Sequence, residues 1–152
     1  MVIWKKIDIS DKVLTDVLSY LDELSVHHPK KSTVGGWSSK NHIIVLLPFI
    51  SEFLSEIISI MEQAAGHKLI LKNYFFNANP TGAYHTPHAH EPATFSSVIY
   101  LKVPENSGEL MWNQGSKMPE PGDIAFFPGD LLHWTGVNES SDTRVCLIMN
   151  FF

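Results

Sequence analysis

The apolar positions of this chain follow two different periods, and the change falls near residue 67. Val13, Leu14, Val17, Leu18 and Leu21 recur at helical spacing, which predicts an amphipathic helix over residues 11–24. Ser10 suits its N-cap and Asp11 the positive end of its dipole. Leu54, Ile57, Ile58 and Met61 form a second stripe, in a helix from Ser51 to Ala65 that Gly66 would stop. Residues 2–9 alternate loosely and fit an edge strand, and Ile43 to Leu47 reads as a buried strand or as a lead-in to the second helix. Residues 25–41 show no period, and Gly35-Gly36 argue against a regular element there. That segment reads as a surface loop or as a lid, with Trp37 as an apolar anchor for substrate.

After residue 67 the pattern turns to short β runs broken by Gly and Pro. Leu69 to Asn77 ends in the turn signal Asn79-Pro80-Thr81-Gly82; Thr94–Val103, Glu109–Trp112, Ile124–Phe127 and Leu131–Thr135 follow. Thr143 to Phe152 closes the chain as a nearly continuous apolar strand. Its alternate residues Val145, Leu147, Met149 and Phe151 suit packing on helices, and Arg144, Cys146, Ile148 and Asn150 could line an interior. Many short strands with turn punctuation imply a β-sandwich or barrel with the early helices covering one face.

At 152 residues the chain is expected to form one domain, 1–152, with helical support over 1–66 and a β-barrel core over 67–152. A net charge of −5, with eleven Lys plus Arg, argues against a nucleic-acid partner. A single cysteine, Cys146, excludes an internal disulfide framework and fits a reducing compartment. The longest apolar run is too short to span a membrane, and the first residues lack a signal-peptide pattern. A cytoplasmic protein is the expectation.

Chemistry concentrates in Tyr84-His-Thr-Pro-His-Ala-His-Glu-Pro92, which holds three of the eight histidines. In an extended segment His88 and His90 share a face, about 6–7 Å apart at Cα, and can converge on one metal ion. His133, after the turn Pro128-Gly129-Asp130, is the candidate third ligand. Two near ligands and one distant ligand describe a facial triad that leaves metal positions open. Arg144 is the sole arginine and sits eleven positions later among apolar residues. A guanidinium there needs an anion, and its planar fork matches a carboxylate in a bidentate way. The anion is either a remote Asp or Glu of the chain or a ligand.

The stretch from Asn73 to Phe152 resembles the iron- and 2-oxoglutarate-dependent oxygenases, and most of all a prolyl-hydroxylase-like subgroup whose first ligand pair reads His-x-His. The resemblance lies in Asn77, Gly82, Tyr84, His88 and His90, then Ser96-Ser-Val-Ile-Tyr-Leu101 and Pro104. Gly108-Glu-Leu-Met-Trp112, Pro121-Gly-Asp-Ile-Ala-Phe-Phe-Pro128, His133 and Arg144 continue it in order. It implies a double-stranded β-helix, a jelly-roll or cupin-like barrel, with Fe(II) held by His88, His90 and His133. It also implies that Arg144 pairs with the distal carboxylate of 2-oxoglutarate and that Tyr100 and Asn77 bond the co-substrate. The implied activity is a dioxygenase that uses molecular oxygen to hydroxylate a small molecule or a peptidyl side chain. The wider family carries His-x-Asp or His-x-Glu, so His90 stands in a carboxylate's place. His85 reads as a supporting group or a stand-in for His90, and Trp37, Trp112 and Trp134 as groove or core. Two other readings stay open: a cupin-type three-histidine dioxygenase without 2-oxoglutarate, and a binding barrel without chemistry.

Overall fold

Both helices form where their caps and stripes place them. In a computed structural model, which describes residues 1–24, 27–28, 32–40 and 47–152, the chain begins with β1 (Ile3–Lys6), α1 (Asp11–Asp22), β2 (Thr33–Val34) and β3 (Trp37–Ser38). A 3-10 turn (Pro48–Ile50) leads to α2 (Ser51–Ala65), β4 (Leu71–Asn79), β5 (Tyr84–His88) and β6 (Phe95–Lys102). β7 (Leu110–Trp112), β8 (Gly115–Lys117), β9 (Asp123–Pro128), β10 (His133–Thr135) and β11 (Arg144–Phe151) complete it. Ser10 Oγ accepts from the Val13 N–H at 3.1 Å, satisfying one of the helix's open donors. Gly66 ends α2 at φ 79°, a left-handed conformation that a residue without Cβ adopts freely.

The strands make two antiparallel sheets, in the orders β1-β9-β6-β11-β4-β3 and β2-β5-β10-β7-β8. From β4 to β11 the chain passes back and forth between the sheets, staying in the small one only for the hairpin β7–β8. This is the double-stranded β-helix. Among the described residues no helix is long and apolar enough to cross a membrane.

β11 sits between β4 and β6, and its alternation divides the two cores. Val145, Leu147, Met149 and Phe151 pack with Val17 and Leu21 of α1 and with Leu54, Ile57 and Met61 of α2. Each fully buried aliphatic or aromatic side chain there contributes roughly 1.5–3 kcal/mol. Cys146 and Ile148 belong to the second cluster, with Phe75, Val98, Tyr100 and Phe127, inside the barrel. The helical face and the interior face are those the sequence pattern predicts.

The segment from 25 to 41 departs from the expectation of a loop. Residues 25–26, 29–31 and 41 lie outside the described residues, but β2 pairs with β5 and β3 with β4. The N-terminal part therefore adds strands to both sheets besides its helices. Two-residue strands pair through their backbones and leave no period to read, and Gly35 at φ 77° supplies the turn between them. Of the apolar run from 43 to 47 only Leu47 is described; its N–H donates to Tyr74 Oη at 2.8 Å.

Candidate metal centre

β5 and β10 are neighbours in the small sheet, and their register sets His88 directly across from His133. Cross-strand partners have Cβ atoms about 5 Å apart, which brings the two imidazoles together. The ring centroids are 4.3 Å apart. His90 follows the end of β5, and its backbone N–H donates to the Gly129 carbonyl at 2.8 Å. Position 129 has room only for glycine, because a Cβ there would collide with the Ala93 carbonyl oxygen. One ring nitrogen each of His88, His90 and His133 lies within 4.8 Å of the others, the group among the described residues that can hold a metal ion.

Hydrogen bonds at two of the three rings set their tautomers. His88 Nδ1–H donates to the Thr86 carbonyl at 2.7 Å and His133 Nδ1–H to the Leu131 carbonyl at 2.9 Å, so each presents a bare Nε2. His90 Nε2 stands 3.2 Å from His133 Nε2. Two nitrogens bound at about 2.1 Å to one ion are separated by about 3.0–3.4 Å at octahedral or tetrahedral angles, so this spacing fits a shared metal. Burial, and then the neighbouring His88, hold His133 down at about 4, and burial lowers His88 despite its bond to Thr86. Both rings are therefore in the neutral, ligating form at neutral pH.

Arg144 begins β11 with only 4% of its surface exposed. Its Nη1 donates to the Ser107 and Gly108 carbonyls, each at 3.1 Å. With the Asn79 amide oriented by its neighbours, the amide oxygen accepts from Arg144 Nη2 at 2.8 Å and its nitrogen donates to the Ala78 carbonyl. Nε is buried without a partner, and among the described residues no carboxylate forms an ion pair with Arg144. The structural ion pair considered from the sequence is absent there. A buried cation with an unfilled donor edge is an anion site in waiting.

The three histidines and the arginine line one cavity. Its inner part, about 30 Å³, is lined by His88, His90, His133, Asn77, Tyr100 and Arg144 among others. Asn77, Cys146 and Tyr100 form one rung across β4, β11 and β6. Asn77 is held in place by the Ser38 hydroxyl, which donates to its Oδ1. Burial raises the Tyr100 phenol well above its ordinary range, so it is a neutral donor. A wider vestibule of about 400 Å³ adjoins, sharing Asn77, His85, His88 and His90.

His85 lines both spaces without joining the metal trio; its Nε2 lies 3.1 Å from the Asn79 amide, and burial, with Arg144 next, pushes it down to about 3. It stands beside Asn79 at the cavity wall. Trp37 and Trp134 do not line the cavity. Trp37 packs against the helical core and stacks on His27 at 3.7 Å, and Trp134 pairs with Met111 in β10, one residue out of phase with His133. Trp112 packs against the interior cluster. Asn79 is the residue that sequence reasoning missed, having read it only as a turn. Its signal was parity: Asn73, Asn77 and Asn79 all fall on one face of β4.

No protein-family model and no curated protein matches the sequence. Solved structures do match the fold. An oxidoreductase of the 2OG-Fe(II) oxygenase family from Burkholderia pseudomallei superposes with a TM-score of 0.73 at 13% identity, over 99% of this chain and 83% of the other. A viral collagen prolyl hydroxylase of Paramecium Bursaria Chlorella virus-1, solved with 2OG, gives 0.69 at 16% over 97% and 94%. SnoN, a non-heme alpha ketoglutarate dependent epimerase of nogalamycin biosynthesis, gives 0.77 at 12% over 99% and 77%. The chain has the fold of these oxygenases.

Proposed function

We propose that this protein is an Fe(II)- and 2-oxoglutarate-dependent oxygenase whose iron is held by His88, His90 and His133. The observation that carries the reading is Arg144, the sole arginine, buried at the cavity that the three histidines line and without a carboxylate partner among the described residues. Its free edge, Nε–H with the remaining Nη2–H, suits the distal carboxylate of 2-oxoglutarate. Tyr100 and Asn77, which flank Cys146 in one rung of the cavity wall, would hydrogen-bond the same co-substrate. When bound, iron with 2-oxoglutarate supplies the chemistry: oxygen is consumed, the co-substrate becomes succinate and carbon dioxide, and a substrate C–H bond is oxidised.

The chain's own part is to hold and orient. The carbonyls of Thr86 and Leu131 lock the tautomers of His88 and His133, and Asn79 ties Arg144 to His85. Hydroxylation of a small molecule or a peptidyl side chain is the reaction we favour, since prolyl hydroxylases share the fold. The imidazole in the usual carboxylate position keeps a cupin-type dioxygenase as the second reading; an arginine with no carboxylate among its described partners argues for 2-oxoglutarate. Protein supplied with Fe(II), ascorbate and 2-oxoglutarate should release succinate, even without a primary substrate. Oxygen-dependent turnover of other compounds with no response to 2-oxoglutarate would favour the second reading.

A further inference from the structure

The concave face of the large sheet is organised in rungs across β4, β11 and β6. Asn77–Cys146–Tyr100 is followed by the apolar rung Phe75–Ile148–Val98, and then by Asn73–Asn150–Ser96. The last rung is polar again, although Ser96 is fully buried and Asn150 is 7% exposed. Its hydrogen bonds run in one direction. The Ser96 hydroxyl donates to Asn150 Oδ1 at 2.8 Å, and Asn150 Nδ2 donates to Asn73 Oδ1 at 2.8 Å. The relay ends on Asn73 Nδ2, whose two N–H groups donate to nothing among the described residues. Asn73, Phe75 and Asn150 line the 400 Å³ vestibule together with the ligands His88 and His90.

A buried relay whose open end is a donor, set in a vestibule beside the metal ligands, is built to receive an acceptor. We propose that the Ser96–Asn150–Asn73 relay recognises a carbonyl-type oxygen of the primary substrate, whose apolar part lies over Phe75 and Ile148. This rests on the oxygenase reading and adds the chemistry of its substrate. Lys72 and Glu91 both line the vestibule, so its fixed charges balance and hydrogen bonding decides. Two sources carry such an oxygen, the carboxylate of a free amino acid and the amide carbonyl of a peptide.

The test is calorimetric titration of the full chain, anaerobic and loaded with Fe(II) and 2-oxoglutarate. The probes are a panel of free amino acids, the same amino acids capped as N-acetyl amides, and the matching amines lacking the carboxyl group. Members of the first or second set should bind and the amines should not; whichever set binds tighter identifies the source. Asn73→Leu should weaken that binding roughly tenfold, the cost of one lost hydrogen bond with its partner left buried. Asn73→Asp, nearly the same shape, removes the donor and should do at least the same, and both variants should keep the wild-type affinity for 2-oxoglutarate. Equal binding of the amines, unchanged affinity in both variants, or no binding of any probe would overturn the proposal. Failure of 2-oxoglutarate to bind the wild type would instead strike the oxygenase reading. The same titration with Fe(II) alone would still decide the relay.

Discussion

Replacing Arg144 by Met should erase the protein's preference for an acid group at the far end of 2-oxoglutarate, and a chemical double-mutant cycle isolates the effect. Both Nη1 hydrogens are engaged by the Ser107 and Gly108 carbonyls and one Nη2 hydrogen by Asn79, which leaves Nε–H and one Nη2–H for the ligand. Two charge-assisted bonds of about 1.5–3 kcal/mol each set a lower figure of about 3 kcal/mol, on the order of a hundredfold in affinity. The comparison ligand is 2-oxopentanoate, which chelates a metal identically and ends in a methyl group. Anaerobic titration of the Fe(II) protein gives four dissociation constants. Wild type should favour 2-oxoglutarate by about a hundredfold and Arg144→Met by no more than a few-fold. The substitution also strands two buried carbonyls and lowers stability, but that loss is common to both ligands and cancels. If wild type binds the two ligands equally, or if the variant keeps its preference, Arg144 is not the carboxylate site.

Other outcomes follow from the same geometry. His133→Ala should abolish stoichiometric Fe(II) binding, whereas His85→Asn should leave the metal bound and weaken 2-oxoglutarate through Asn79; metal analysis after gel filtration separates the two, and metal loss in both would contradict the division of roles. Gly129→Ala places a Cβ against the Ala93 carbonyl and should cost about 1–3 kcal/mol, with a Tm several degrees lower and weaker Fe(II) binding, because Gly129 anchors His90. An unchanged Tm would refute the packing argument. The folded pKa values of His85 and His133, about 3 and about 4, lie below the ordinary 6.5. The unfolded chain therefore takes up protons first, and chelator-treated protein should lose stability as pH falls below about 6.5. At pH 5 the loss is about 2 kcal/mol for each ring, measurable by urea unfolding at pH 7.5 and 5. A pH-independent midpoint would contradict the burial.

The parts of this site that strand parity controls were legible in the sequence. β11 shows it best: alternation alone assigned Val145, Leu147, Met149 and Phe151 to the helices and Arg144, Cys146 and Ile148 to the interior. Parity could also have decided Trp134, read from the sequence as groove or core, since it directly follows His133 and a period of two turns it to the opposite face. What parity cannot supply is pairing between distant strands. Asn79 meets Arg144 only because β4 lies beside β11, and nothing near Asn79 in the chain announces that. β2, β3 and β8 were missed for a related reason. They are two or three residues long, held by backbone bonds to neighbours, and too short to show any alternation. Trp37 falls with them: its pairing with Ala78 sets its side chain on the helical side, away from the cavity.

The central claim is that three histidines and one arginine make an iron and 2-oxoglutarate site. Isotope labelling tests it most directly. Protein with Fe(II), ascorbate and 2-oxoglutarate is incubated under ¹⁸O₂, and the succinate is analysed by mass spectrometry. Oxidative decarboxylation transfers one atom of the oxygen molecule to the new carboxylate, so succinate should carry a single ¹⁸O and should vanish in His133→Ala. Unlabelled succinate, or none at all from fully iron-loaded protein, would contradict the account.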